Sequence, residues 1–260
     1  MRIELLYSPL LFIERLGQWA AERRRLQKLR GTVAAQLTTG HIDSLELLEL
    51  LRPLNPQAIF DIGANIGTWT ILAKALYPET EIYAFEPLES HCAKFTAATR
   101  GLQGVTLHQL ALGAMPANLQ MNVLNRSDAS SLLPMTSECS QHFALKDERT
   151  VTVRVERLDD LLRAKKIPQP DVVKLDIQGY ELEALRGGEV TLMGAHAILA
   201  EVSLIELYKE QCLFHGLAAF LAERGFYVCA FGAETILGRP LLQADVLFVS
   251  AKAAKKLNVI

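Results

Sequence analysis

The chain has only four cysteines in 260 residues, at positions 92, 139, 212 and 229, with no C-x-x-C pair and no zinc-type spacing. That argues against a disulfide scaffold and a structural zinc site, and makes the reducing cytoplasm the expected compartment. Aromatic residues make up 7% of the chain, too few for a platform that stacks single-stranded bases. A charge excess is lacking too. With 27 Lys+Arg against 29 Asp+Glu the net charge is −2, and no nucleic-acid partner is expected. No run reaches the roughly 18 apolar residues of a membrane-spanning helix. The first residues do not read as a secretory leader, because Ser8-Pro9 interrupts the apolar stretch and charged residues follow it. What is present is a chain half hydrophobic and 22% charged, the make-up of a soluble globular protein with a substantial core. At about 150 residues per domain it holds one or two domains.

Residues 10–29 carry apolar side chains at helical spacing (Leu11, Phe12, Leu16, Trp19, Ala20, Leu26, Leu29). Arg15, Arg23, Arg24, Arg25, Lys28 and Arg30 fall on the opposite face. Two readings suit such a helix. In one it lies on an anionic lipid surface or docks a partner. In the other its stripe packs on its own domain or on a second copy of the chain, with the basic face in water. Basic faces are common on soluble helices, which favours the second. A further helix is expected over residues 43–51, with Asp43 or Ser44 as N-cap and Pro53 and Pro56 beyond its end. The break at residues 52–57 divides this N-terminal helical arm, residues 1–57, from a main domain over residues 58–260.

From Ala58 onward short apolar strands alternate with amphipathic helices. Strands are expected at 58–62, 81–85, 105–109, 171–175 and 197–202, and helices at 68–76, 88–100, from 180, and at 213–224. Residues 117–124 and 150–154 read as further strands around a polar loop at 125–133. This alternation is that of a parallel sheet covered on both faces. Strands at 226–230 and 245–250 have no helix between them, so they are expected to pair antiparallel as a hairpin at the sheet edge. No internal repeat or low-complexity tract appears.

The segment FDIGANIGT, residues 60–68, is a strand, a glycine turn and a helix start. Glycines let the chain turn tightly and let a ligand approach the backbone. Gly63 and Gly67 are four apart with Asn65 between them, so this is not G-x-G-x-x-G. Asp61 places a carboxylate at the strand's end, where it would repel a dinucleotide pyrophosphate. It would attract the ammonium and sulfonium of S-adenosyl-L-methionine. Glu86 closes the second strand, 25 residues beyond Asp61, about where doubly wound folds place the acid that binds a ribose diol. Two hydroxyl donors match two carboxylate oxygens.

These residues resemble the FkbM-type S-adenosylmethionine-dependent methyltransferases. The resemblance rests on FDIGANIGTWT, YAFEP, QLALG at 109–113 and VVKLDIQGYELEALRGGE at 172–189. It extends to AEVS at 200–203, a Leu-Tyr and phenylalanine segment at 207–214, RGFYV at 224–228, and DVLFVS. It covers roughly residues 58–250, and D-x-x-G-Y-E-x-E-x-L-x-G at 176–187 is its most specific part. It implies a Rossmann-like class I methyltransferase: an α/β fold with a seven-stranded, mostly parallel sheet and an antiparallel C-terminal hairpin. It also implies methyl transfer to a hydroxyl of a sugar or secondary metabolite. Many members carry Glu where this chain has Gln178, which keeps hydrogen-bonding capacity and loses charge. Candidate cofactor contacts are Asp61, Gly63, Ala64, Asn65 and Gly67, then Glu86 and Pro87, and Ala111 within QLALG.

Methyl transfer from a sulfonium is an in-line displacement, helped mainly by holding acceptor and methyl close and collinear. A hydroxyl acceptor is a weak nucleophile until it loses its proton, so a positioned base or a divalent metal helps. Such groups belong beyond the carboxyl ends of the strands. Asp176 is the candidate proton acceptor or metal ligand, with Glu201 and Lys174 supporting it electrostatically; contact with the cofactor's methionine end is the alternative for Asp176. Ser130 and Ser131 are candidates for the acceptor pocket. His91, His108, His142 and His215 have no metal-ligand spacing, so no histidine is assigned as a metal ligand, and a divalent metal is not among the expected cofactors. The rival readings are a nicotinamide oxidoreductase on a similar sheet, and a non-catalytic scaffold.

Overall fold

A computed structural model describes residues 9–236 and 241–259. Helix α1 (Pro9–Lys28) is followed by the short α2 (Leu45–Leu50). Strand β1 (Ala58–Ile62), helix α3 (Thr68–Leu76), strand β2 (Glu81–Phe85), helix α4 (Glu89–Ala98) and strand β3 (Val105–His108) form the first half of a doubly wound unit. Next come β4 (Ala111–Leu112), β5 (Ala117–Leu124), α5 (Ser137–Phe143), β6 (Asp147–Glu156) and α6 (Leu158–Arg163). The second half holds β7 (Val172–Leu175), α7 (Glu181–Arg186), α8 (Glu189–Met193), β8 (Ala197–Ser203) and α9 (Phe214–Ala222). The chain closes with β9 (Phe226–Ile236), β10 (Leu241–Ser250) and α10 (Ala251–Lys256).

The main sheet has seven strands in the order β3-β2-β1-β7-β8-β10-β9. All neighbours are parallel except β10, which runs antiparallel to both β8 and β9. This is the expected Rossmann-like class I architecture, with its antiparallel hairpin and N-terminal helices. Strands β1 and β7 are buried at every position, as befits central parallel strands covered on both sides.

Strand periodicity sorts the core into two layers. Phe60, Val173, Ile198 and Phe248 face one cluster, with α9 residues Leu217 and Leu221. Ile59, Val172, Leu199 and Leu247 face the other. That second face is covered largely by the N-terminal segment: Leu29, Ile42, Leu45, Leu48, Leu51 and Leu54 pack there with Leu72 of α3. Helix α1 joins it only near its C-terminal end, where Leu29 is buried and Leu26 packs alongside. Trp19 stays exposed, its ring 5.2 Å from the Arg23 guanidinium. The side chains of Leu11, Phe12, Arg15 and Leu16 lie outside the described residues.

Residues 117–124 and 150–154 form the further strands expected there; β5 and the longer β6 join β4 in a separate three-stranded sheet. The outer half of β6 is solvent-exposed, so no apolar alternation marked its full length. Helix α5 lies beyond the polar loop, where no element was expected, and is capped by the Thr136 hydroxyl, which accepts from the Cys139 N–H at 3.2 Å. The hairpin also runs further than expected, because pairing continues through register shifts that blur the period of two.

Candidate active site

Asp61, Lys174 and Glu201, singled out from the sequence, fall on one face of the sheet because they share strand parity. Asp61 pairs in register with Lys174, Lys174 with Leu199, and Leu199 with Leu247. One step further along, Glu201 is opposite Asp245. This is the face whose apolar rows the N-terminal segment covers. Beyond the edge of that cover the rows turn polar.

The turn after β1 is fixed by backbone. The N–H groups of Gly63 and Ala64 both donate to the Phe85 carbonyl at 3.0 Å, tying the loop to β2. Gly63 stands at φ 81°, where a Cβ would overlap the Asp176 carbonyl oxygen. Only glycine fits there without displacing the loop after β7. Asn65 adopts φ 48° and donates its N–H to Glu86 Oε2 at 3.0 Å. Glu86 Oε1 accepts from the Leu88 N–H at 2.9 Å and lies 3.4 Å from His91 Nδ1.

Lys174 is buried at the centre. Its Nζ lies 3.3 Å from Asp61 Oδ1 and 3.6 Å from Asp176 Oδ2, and donates to the Gly63 carbonyl at 3.1 Å. Burial alone would push the ammonium down, but the Asp61 and Asp176 carboxylates outweigh it and hold its pKa above the usual lysine value. Asp61 has no exposed surface, and its Oδ2 accepts from the Thr70 hydroxyl at 2.6 Å.

Gln178 links the two candidate acids. Its Nε2 donates to Asp176 Oδ1 and Glu201 Oε2, each at 2.9 Å. Gln243 of β10 donates to the same Glu201 oxygen at 2.9 Å. Burial, then the neighbouring Asp176 and Asp245 carboxylates, raise Glu201 well above the usual carboxylate range. The same two causes, burial and then Asp176, push Asp245 up to about 6. Ser44, from the segment before α2, donates to Asp245 Oδ2 at 3.1 Å. Burial also lifts Glu181 to about 7, although the Ile177 and Gly179 N–H groups at 3.0 and 3.2 Å oppose it by donating to its Oε1.

Two cavities meet here. The larger, about 700 Å³, is lined by Asp43, Ser44, Trp69, Lys174, Glu201 and Asp245 among others. The smaller, about 70 Å³, is lined by Glu86, Pro87, His91, Ala111, Ser130 and Tyr180 among others. Gly63, Asn65, Asp176 and Gln178 line both. The Oδ1 of Asn65 and the Nε1 of Trp69 are buried there without a protein partner. Among the described residues, no group of three or more His, Cys, Asp or Glu side chains is arranged to hold a metal ion.

Of the sequence-derived candidates, Gly63, Ala64, Asn65, Lys174, Asp176 and Glu201 line the larger cavity, and Glu86, Pro87 and Ala111 the smaller. Asp61 and Gly67 line neither. Asp61 lies behind Lys174, while Gly67 (φ 90°) starts α3 against the Phe95 ring. Ser130 borders the smaller cavity rather than the larger one. Ser131 is buried away from both, donating to the Gln178 carbonyl at 2.7 Å. Sequence reasoning missed Asp245, Gln243, Tyr208 and Ser44. Asp245 had a signal, a lone acid in the apolar run of β10.

The strand order and the glycine loop place the protein among Rossmann-like class I methyltransferases. The chain belongs to the FkbM methyltransferase family, whose domain model matches residues 61–228. It is 28% identical over 183 residues to Methyltransferase 1 of Beauveria bassiana, covering 65% of this chain and 72% of that protein. Hexuronic acid methyltransferase AglP of Haloferax volcanii is 24% identical over 163 residues, 63% of this chain and 62% of that one. 2-O-methyltransferase NoeI of Sinorhizobium fredii is 24% identical over 173 residues, 64% and 71% of the two chains. Among solved structures, methyltransferase FkbM from Methylobacillus flagellatus superposes with a TM-score of 0.47 at 13% identity, over 90% of this chain and 60% of that chain.

Proposed function

We propose that the protein is an S-adenosyl-L-methionine-dependent O-methyltransferase acting on a hydroxyl of a carbohydrate or secondary metabolite. The observation that carries this reading is the meeting of the two cavities at Gly63, Asn65, Asp176 and Gln178. The residues present fit the cofactor. Each Glu86 oxygen has a backbone N–H partner and keeps a lone pair for one hydroxyl of a ribose diol. The unpartnered Asn65 oxygen lies where a donor group of the ligand is needed, and Gly63 leaves the backbone open to close approach.

When bound, the cofactor supplies an electrophilic methyl group on a sulfonium. The chain's own residues do the rest. The acceptor hydroxyl occupies the larger cavity and passes its proton to Asp176. Lys174 holds its ammonium 3.6 Å from Asp176 Oδ2. Glu201, with its raised pKa, is held beside it as a neutral hydrogen-bonding group. The turn that carries Asp43 and Ser44 forms part of the acceptor wall, which gives the N-terminal segment a role in selecting substrate. AglP and NoeI, named for a hexuronic acid and a 2-O position, support a sugar-like acceptor.

The four free cysteines agree with a cytoplasmic setting, and among the described residues no helix is long and apolar enough to cross a membrane. Calorimetry with S-adenosylhomocysteine tests the reading. Binding is expected, and NAD binding in its place would overturn it.

A further inference from the structure

Gln178 sits in the left-handed region at φ 56°, in a turn braced by the Ser131 hydroxyl on its carbonyl. Its side chain makes three polar contacts. Both acids lie on the amide nitrogen, at 2.9 Å each, and the Tyr208 hydroxyl lies 3.0 Å from Oε1. A carboxamide has two N–H donors at one end and an acceptor at the other. Both donors are therefore used on Asp176 and Glu201. The two carboxyl groups on this side fix the amide's orientation, and the Tyr208 hydroxyl also lies 2.7 Å from the Ala129 carbonyl. Two carboxyl groups brought this close to one atom repel unless a cation or a proton relieves them. Lys174 approaches the other Asp176 oxygen at 3.6 Å and burial raises Glu201 well above the usual carboxylate range, while the atom between the two acids belongs to a neutral side chain.

We propose that Gln178 is a positioning residue that takes the place of a cation between Asp176 and Glu201, fixing their spacing with neutral donors. Residue 178 then decides whether this centre holds a metal. A carboxylate at 178 would make three acidic side chains converge, a set of hard oxygen ligands suited to Mn²⁺ or Mg²⁺. The inference builds on the reading of Asp176 as proton acceptor, but its test needs no methyl transfer.

The experiment is calorimetry of the full chain with MnCl₂ alone. Gln178→Glu is expected to bind Mn²⁺ at least about tenfold more tightly than the wild type. Gln178→Glu combined with Glu201→Gln is expected to fall back to the wild-type level. Equal Mn²⁺ affinity in Gln178→Glu and wild type overturns the proposal, whether that affinity is high or absent. Should Gln178→Glu fold only when Mn²⁺ is added, as read by melting, that too supports it.

Should it not fold at all, the shorter Gln178→Asp decides by the same Mn²⁺ titration: binding tighter than the wild type supports the proposal, and binding equal to the wild type overturns it. S-adenosylhomocysteine binding is measured alongside. Its loss in the wild type counts against the cofactor reading and leaves the Mn²⁺ result to stand by itself.

Discussion

Lys174→Met removes the only cation within reach of Asp61 among the described contacts and keeps most of the aliphatic stem. The pair it breaks is closed off from water, with side-chain exposures of 8% and 0% at 3.3 Å. At an effective dielectric constant of 20, Coulomb attraction at that distance is about 5 kcal/mol. Truncating one partner of a buried pair typically costs about 3–5 kcal/mol, because the other charge stays behind unpaired. For a chain of this size that corresponds to a drop in melting temperature of roughly 6–20 °C. The Thr70 hydroxyl still donates to Asp61, so the lower half of the range is expected. The control is Lys174→Met with Asp61→Asn, which removes both charges and keeps an acceptor for Thr70. It should recover about half of the loss or more. Urea unfolding and thermal melting at pH 7 measure both variants. The isolated carboxylate of the single variant is relieved by taking a proton, so its deficit against wild type should shrink as the pH falls. A double variant as unstable as the single one, with a deficit independent of pH, would refute the reasoning.

Glu86→Ala is expected to weaken S-adenosylhomocysteine binding by about 1–3 kcal/mol, or roughly 5- to 150-fold, as for lost hydrogen bonds to a charged group. Unchanged calorimetric affinity in a folded variant would remove Glu86 from the ribose site. Asp245 offers a test by pH. Its folded pKa of about 6 lies above the ordinary carboxylate value, so the folded protein takes the proton first. Its contribution is therefore most favourable below about pH 4 and is lost as the pH rises through 6. Asp245→Asn should flatten melting temperature against pH across that window. Parallel curves for variant and wild type would show that Asp245 is not perturbed in this way.

The parts of the molecule legible in the sequence are those where local pattern and burial agree. The apolar run of β1, the glycine turn and the strand that leads into Glu86 are of this kind, because central parallel strands leave little room for polar residues. Shared parity also placed Lys174 beside Asp176. The rest of the site was hidden by distance along the chain. Ser44 meets Asp245 across 201 positions, and Gln243 meets Glu201 across 42. Neither contact leaves a local signal, since an isolated serine before a short helix reads simply as an N-cap. Only part of β6 was legible, for a different reason: the strand exposes most of its outer half, which has no apolar period to detect.

The position of β10 between β8 and β9 bears on how the protein is assembled during synthesis. Strand β9 leaves the ribosome first but has no place in the sheet until β10 follows, since β10 is its partner there. At about 5–20 residues per second, the stretch from Phe226 to Ser250 takes roughly 1–5 s to appear. For that interval β8 is an open border, and Glu201 lacks both its cross-strand neighbour Asp245 and the amide of Gln243. The last strand translated thus seals the sheet and completes the acid cluster in one event. A nascent chain stopped short of it carries the glycine loop but not the finished site.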